Sequence, residues 1–234
     1  MGSEHLSKQY DSDLETLRSG VLQMGGLVEA QIRAAIDAFS SGNPDLIEQV
    51  ITTEVQVNAC EVGIDNDCSQ IIVKRQPAAG DLRLIMAISK TVTDLERIGD
   101  EAEKIARMSR QIHQQGRIEL HRFANIRHAA DIALSMLRQA LDAFARLDTA
   151  EAARTIREDV AIDAEFRSVL RQLITFMMED PRTISTALEI VWIAKAIERI
   201  GDHAKNIAEY VIYIVKGTDV RHTRLDQVER EALG

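Results

Sequence analysis

Aromatic side chains are scarce in this chain of 234 residues: one Trp, three Tyr and five Phe make up 4% of it, whereas hydrophobic residues reach 45%. A core must then be assembled from Leu, Ile, Val and Ala, a palette that suits close-packed helices. Cysteine is limited to Cys60 and Cys68, eight positions apart. On one helix that separation is about 12 Å at about 1.5 Å per residue, beyond disulfide reach, so the chain has to fold without covalent staples. No apolar run approaches the roughly 18 residues that span a bilayer and no signal-peptide pattern is present, which points to a cytoplasmic protein. Met1 to His5 read in part as an expression scar. Blocks of basic charge are missing too. The formal net charge is −9 with acids and bases interspersed, so nothing is arranged to neutralise a phosphate backbone, and nucleic acid is excluded as a partner. Sustained period-two alternation and Asn-Gly or Asp-Gly hairpin signals are lacking, which argues against a sheet. So are a Gly-rich phosphate loop, a Ser-His-Asp set and a nucleophile elbow. The histidines His113, His121, His128, His203 and His222 form no His-x-x-x-His pair, and no Glu-x-x-His occurs. The signature of helical di-iron carboxylate enzymes is therefore missing.

What is present is helical periodicity. Apolar residues recur at three- and four-residue spacing, as in Leu82, Ile85, Met86, Ile88, Val92, Leu95, Ile98 and Ala102. Only three prolines occur, and each stands between such stretches: Pro44 behind the cap residue Asn43, Pro77 in KRQPAAGD and Pro181 in MEDPRT. The pattern predicts six long helices, near 6–40, 44–75, 79–114, 119–146, 149–179 and 182–216, with a frayed polar tail after Gly217. Met177, Met178 and Trp192 fall at core-like positions and read as packing residues.

The chain also repeats itself. IRAAIDAF (Ile32 to Phe39) matches LRQALDAF (Leu137 to Phe144) at an offset of 105 residues, which also aligns Glu54 with Asp159 and Asn58 with Asp163. Pro77 aligns with Pro181 at 104, and DLERIGDEAEKIA (Asp94 to Ala106) with AIERIGDHAKNIA (Ala196 to Ala208) at 102. Short connections favour antiparallel neighbours. The expected fold is all-α, a tandem repeat of two three-helix bundles over residues 1–117 and 118–234, joined near Gly116 to Glu119.

Within the repeated string, Glu96 and Asp100 are four residues apart and so share a helix face, as do Glu198 and Asp202. Like charges at that spacing are destabilising by about 0.2–0.5 kcal/mol unless a cation joins them. A single Glu-x-x-x-Asp is usually a solvated surface pair, but a glycine inside each copy, Gly99 and Gly201, weakens a helix interior by about 1 kcal/mol relative to Ala, and solvation alone does not explain that. Such glycines permit a close approach. The second helix of each half adds Glu54 with Asn58 and Asp159 with Asp163, so each bundle offers four oxygen-bearing side chains, suited to Mg, Mn, Zn or Fe(II). Arg97 and Arg199 read as ordinary ion-pair partners.

LERIGD and IERIGD, RQPAAGDLR before the first copy, MMEDPRTIS before the second, and the closing NIAEYVIYIVKGTDVRH together resemble the PhoU family of phosphate-signalling proteins. The likeness runs from MGGLVEAQI to His222. It implies a homodimeric, cytoplasmic, non-enzymatic regulator. Such a protein connects the phosphate ABC transporter, through its ATPase subunit, to the sensor histidine kinase of the phosphate-starvation genes, and turns both down when phosphate is plentiful. It would meet the membrane through those partners only. The resemblance also implies a divalent metal at Glu96, Asp100, Glu198, Asp202, Asp159 and Asp163. The chain departs from the acidic pattern at Glu54 and Asn58, where an amide replaces the second acid; Glu61 and Asp65 form a further acidic pair nearby. For partner contact the readings fall on Asp81 and Arg83 in GDLR and on Arg182 in DPRT, residues at corresponding helix starts. Asp81 has a competing role as a helix cap. The competing function is a metal-dependent hydrolase or oxidase in a helical bundle, which needs an open metal position, a base and a pocket. A plain helical scaffold is the blander third reading.

Overall fold

The computed structural model describes residues 8–115 and 124–234. Met1 to His5, the start of the first and fourth expected helices, the junction near Gly116 to Glu119 and His121 lie outside the described residues. Six long helices follow the periodicity: α1 Lys8–Ser41, α2 Pro44–Arg75, α3 Ala79–Gln115, α4 Ala124–Arg146, α5 Thr149–Glu179 and α6 Ile184–Lys216. Their ends are set by local chemistry. The Asn43 side chain accepts from Asp45 N at 2.9 Å with Pro44 opening α2; the Asp148 carboxylate accepts from Ala150 N and Glu151 N at 3.0 Å each and opens α5. Both satisfy orphan amides of a first turn. Gly217, at φ 78°, closes α6 in the left-handed region that glycine tolerates best. A short 3-10 turn over Pro181–Thr183 precedes α6, so that helix starts two residues later than the periodicity suggests.

Helices α1, α2 and α3 pack on one another, and α4, α5 and α6 do likewise. The broadest contact of all joins the two sets along α3 and α6, with α1 touching α4 beside it. The seam is filled by Ile, Leu, Val and Ala side chains such as Ile88, Val92, Leu95, Ile98, Ile193, Ile197, Ile200 and Ile207, all fully buried. Both cysteines are free thiols.

Two expectations fail. The tail after Gly217 is not frayed: it forms α7, Leu225–Leu233, which lies against α5. Val220, Val228 and Ala232 are buried there, and Thr149 Oγ1 donates to Ala232 O at 2.7 Å. The polar composition hid an apolar stripe at helical spacing, which is enough to dock a two-turn helix. Trp192 and Met178 are not core residues, being 53% and 79% exposed. Both occupy outward faces, and Trp192 is instead covered by the Lys104 ammonium at 5.6 Å. Met177 is half-buried, in keeping with its expected packing role.

The glycines of the repeated motif both face neighbours, but different ones. A Cβ on Gly201 would meet Ile162 Cγ2 at 3.1 Å and Met136 Sδ at 3.6 Å, whereas one on Gly99 would meet Glu54 Oε2 at 2.6 Å. We expect Gly201→Leu to cost about 1–3 kcal/mol through overpacking between α5 and α6. Gly201→Ala should stay within about 1 kcal/mol of wild type, because the propensity gain offsets a tight contact. Urea denaturation of the two variants checks this, and a Leu variant as stable as wild type contradicts it.

Candidate metal centres

The first acidic cluster is built where α2 meets α3. Glu54 is buried on the inward face of α2, and the Gln31 amide of α1 donates to its Oε2 at 2.7 Å and to Val50 O at 3.2 Å. Its other oxygen, Oε1, is buried without a hydrogen bond. Gly99 explains how the carboxylate fits: a side chain at that position would occupy the space that Glu54 Oε2 takes. The residues around it are like-charged. Burial pushes the Glu54 carboxyl up to about 7, and Asp100, Glu103 and Glu96 push in the same direction while the Gln31 hydrogen bond opposes them. Glu96, half-buried, is raised for the same first reason, with Asp100 and Glu61 adding to it. Glu96 and Asp100 have no ion pair or hydrogen bond of their own among the described residues. Asn58 points outward into solvent, so the amide that replaces the acid stands apart from this cluster.

The second cluster, between α5 and α6, repeats the theme with lysines added. Burial raises Asp202 to about 6, helped by Glu198 and Asp159 and opposed by Lys195 and Lys205. Lys205 Nζ reaches Asp159 Oδ2 at 2.7 Å, and Lys195 pairs with Glu198. Asp159 Oδ1 is nonetheless buried without a hydrogen bond. Asp163 is half-buried and makes no hydrogen bond or ion pair among the described residues. Two acids that the repeat comparison passes over belong here and in the first cluster. Glu209, seven residues beyond Asp202 and therefore on the same face, is buried and pushed up to about 7; Glu103 adds its charge to Glu54. Helical spacing from Asp202 and Asp100 was the available signal for both.

Between the clusters runs a polar seam that ties the halves together. Asp94 of α3 is buried, with His203 Nδ1 at 2.7 Å and the Asn206 amide at 3.1 Å from its Oδ1, and Tyr210 hydrogen-bonded to it as well. His203 thus turns away from Asp202 and across the seam. Arg199 forms the ion pair expected of it, but with Glu101 of the other half, at 2.6 Å.

As to the surface residues, Asp81 opens α3 and is hydrogen-bonded to Tyr10. Arg83 is half-buried and lies over the end of α6, where its Cζ would be 3.6 Å from a Cβ on Gly217. A cation there complements the negative end of that helix. Arg182 is 88% exposed and forks onto Asp180, 3.0 Å from Oδ1 and 3.2 Å from Oδ2. Of the three, Arg182 alone is displayed on the surface.

The donor sets are all oxygen, carry surplus negative charge and include buried oxygens without partners, which is the chemistry a hard divalent cation requires. In their present rotamers no three His, Cys, Asp or Glu side chains among the described residues are gathered closely enough to hold one ion.

A family model described as the PhoU domain matches residues 21–109 and again 126–211. The chain belongs to the PhoU family. A Burkholderia sp. phosphate-specific transport system accessory protein PhoU homolog is 50% identical over 234 residues, covering all of both chains. The Escherichia coli K12 phosphate-specific transport system accessory protein PhoU is 45% identical over 236 residues, with 99% of this chain and 95% of that one covered. Among solved structures, PhoU from Pseudomonas aeruginosa superposes with a TM-score of 0.85 at 47% identity, covering 89% of this chain and all of that chain. The phosphate transport system regulatory protein PhoU from Streptococcus pneumoniae gives 0.83 at 25% identity, over 90% of this chain and 99% of that one.

The raised carboxyls give a pH dependence of definite sign. Glu54 and Glu209 at about 7 and Asp202 at about 6 bind protons in the folded state that the unfolded chain has already lost. Their stabilising contribution is complete below the unfolded carboxylate range and is lost as pH rises through 6 to 7. Asp148, Asp180 and Asp219 are held low by hydrogen bonds, so they act only at more acid pH. Metal-free protein should therefore melt at a lower temperature at pH 8 than at pH 5.5, and Glu54→Gln combined with Glu209→Gln should flatten the profile. A stability that rises across this interval contradicts the assignment.

Proposed function

We propose that this protein is a negative regulator of phosphate uptake and of the phosphate-starvation response. It acts as a cytoplasmic adaptor between the ATPase subunit of a phosphate ABC transporter and its sensor histidine kinase. The observation that carries the reading is the end-to-end likeness to phosphate-specific transport accessory proteins at up to half identity, covering all of the chain in the Burkholderia comparison. No helix among the described residues is long and apolar enough to cross a membrane; in this reading contact with the membrane system runs through partner proteins. The working unit in this reading is a homodimer, with residues 1–117 and 118–234 as its two repeats.

Glu54, Glu96 and Asp100 would hold a divalent metal, Mg, Mn, Zn or Fe, in the first half, and Asp159, Asp163, Glu198 and Asp202 in the second, with Asn58 turned away from the first set. Such an ion supplies positive charge that relieves the mutual repulsion of the acids and links α2 to α3 and α5 to α6. Its role here is regulatory or structural and the protein is not an enzyme. The competing metal-dependent hydrolase would want a base directed at the acids, yet His203 is spent on Asp94.

Deleting the gene should leave phosphate-starvation reporters on in phosphate-rich medium, and Arg182→Ala should weaken repression while the purified variant keeps its melting temperature. A deletion strain whose reporter stays normally repressed overturns the regulatory reading.

A further inference from the structure

Where α3 meets α6, a groove of about 410 Å³ opens between the halves, walled by Lys90 and Arg97 on one side and by Asn206, Tyr210, Arg221 and His222 on the other. Its charge is the reverse of the protein's. The formal net charge of the chain is −9, yet the one carboxylate lining the groove, Asp94, is already satisfied by His203, Asn206 and Tyr210. Two of the groove's cations, Arg97 and Lys90, are less engaged. Arg97 is exposed and makes no ion pair or hydrogen bond among the described residues, whereas Arg33, Arg75, Arg107, Arg110, Arg127 and Arg138 each reach an acid. Lys90 Nζ stands 5.7 Å from the centroids of both the Tyr210 and the Tyr213 rings and likewise has no ion pair among the described residues. Those rings fix the ammonium without neutralising it.

The far wall is set by the segment after α6. Val220 is buried and anchors it, Arg221 is clamped on Asp219 through Nε at 3.0 Å and Nη2 at 2.6 Å, and Thr223 N donates to Val220 O at 3.2 Å. His222 then adopts φ 62°, a left-handed backbone that few residues other than glycine take, and it reaches the groove from there. Such a conformation persists only where its surroundings hold it. The far wall is therefore built into the fold and is not a chance meeting of mobile side chains, although the charge of Arg221 is paired with Asp219.

We propose that this groove binds a phosphate-type oxyanion, with Lys90 and Arg97 as its principal cations and Arg221 and His222 closing the opposite side. Guanidinium groups match the geometry of such oxyanions through paired N–H donors, and an ammonium adds a point charge. The volume exceeds that of a single orthophosphate, so the same chemistry admits either the free ion or the phosphoryl chain of a larger metabolite. The groove shares Asn206, Arg221 and His222 with the neighbouring pocket that Asp159, Asp202 and Glu209 line, while Lys90 and Arg97 belong to the groove alone; the proposal does not rest on the regulatory reading.

The test is calorimetric titration of full-length, chelator-treated protein with inorganic phosphate and, separately, with ATP. Chelation removes metal-bridged binding at the acidic clusters. Arg97→Gln and Lys90→Gln, which break no ion pair among the described residues, should each weaken binding at least tenfold, while Arg154→Gln, exposed on α5 and outside the groove, should leave it unchanged. Tighter binding of inorganic phosphate identifies the free ion as the ligand, and tighter binding of ATP identifies a larger phosphoryl compound. Absence of saturable binding of either probe at millimolar concentration, or equal binding by all variants, overturns the proposal. Intact binding in a protein that fails to control the reporter separates this site from the regulatory function.

Discussion

Repulsion among carboxylates that are half-removed from water is the constraint on which the arrangement of both halves depends. At Glu54 it is most acute: one oxygen is held by Gln31, the other has no hydrogen bond, and three further acids press on it. A buried ionised carboxylate is costly unless it is paired, so the group rises toward neutrality instead. The helix accommodates this by placing Gly99 where any side chain would collide with the carboxylate. A glycine that weakens α3 by about 1 kcal/mol is retained because it lets an acid of α2 reach the acids of α3.

The halves answer the same problem differently. In the second half the lysines Lys195 and Lys205 partly neutralise Glu198 and Asp159, and Gly201 makes room for Ile162 and not for a carboxylate. The first half has no lysine at the corresponding contacts with Glu54, Glu96 or Asp100 among the described residues. Duplication has thus kept the backbone motif while the chemistry around it has drifted, leaving the first cluster more in need of an external cation. The seam between α3 and α6 couples them, since Asp94 and Glu101 of one half are held by His203 and Arg199 of the other.

Most of the architecture was legible in the sequence because helical periodicity, prolines and cap residues report on local structure directly. The six long helices and the pairing of Glu96 with Asp100 follow from spacing alone. What spacing could not reveal is which face of a helix meets a neighbour. Trp192 and Met178 have the chemistry of core residues but lie on outward faces, and α7 is too short and polar to stand out until α5 is there to receive it. Arg83 looked like a surface probe because its own helix start gives it nothing; it lies against Gly217 at the end of α6, more than a hundred residues away, with its Nε buried and without a hydrogen bond. The role of Gln31 likewise depends on a contact between helices, whereas Glu209 was within reach of helical spacing from Asp202.

The central claim, that these carboxyls hold protons for want of a cation, is tested most directly by counting the protons released when metal binds. Ligation requires the ionised carboxylate, so Mn²⁺ titrated into chelator-treated protein at pH 6.5 should expel protons from Glu54 and Asp202. Calorimetry in buffers of different ionisation enthalpy measures that number, which the account predicts to be substantial at pH 6.5 and to vanish near pH 8.5. Binding with no proton release at pH 6.5, or no binding at all, contradicts it.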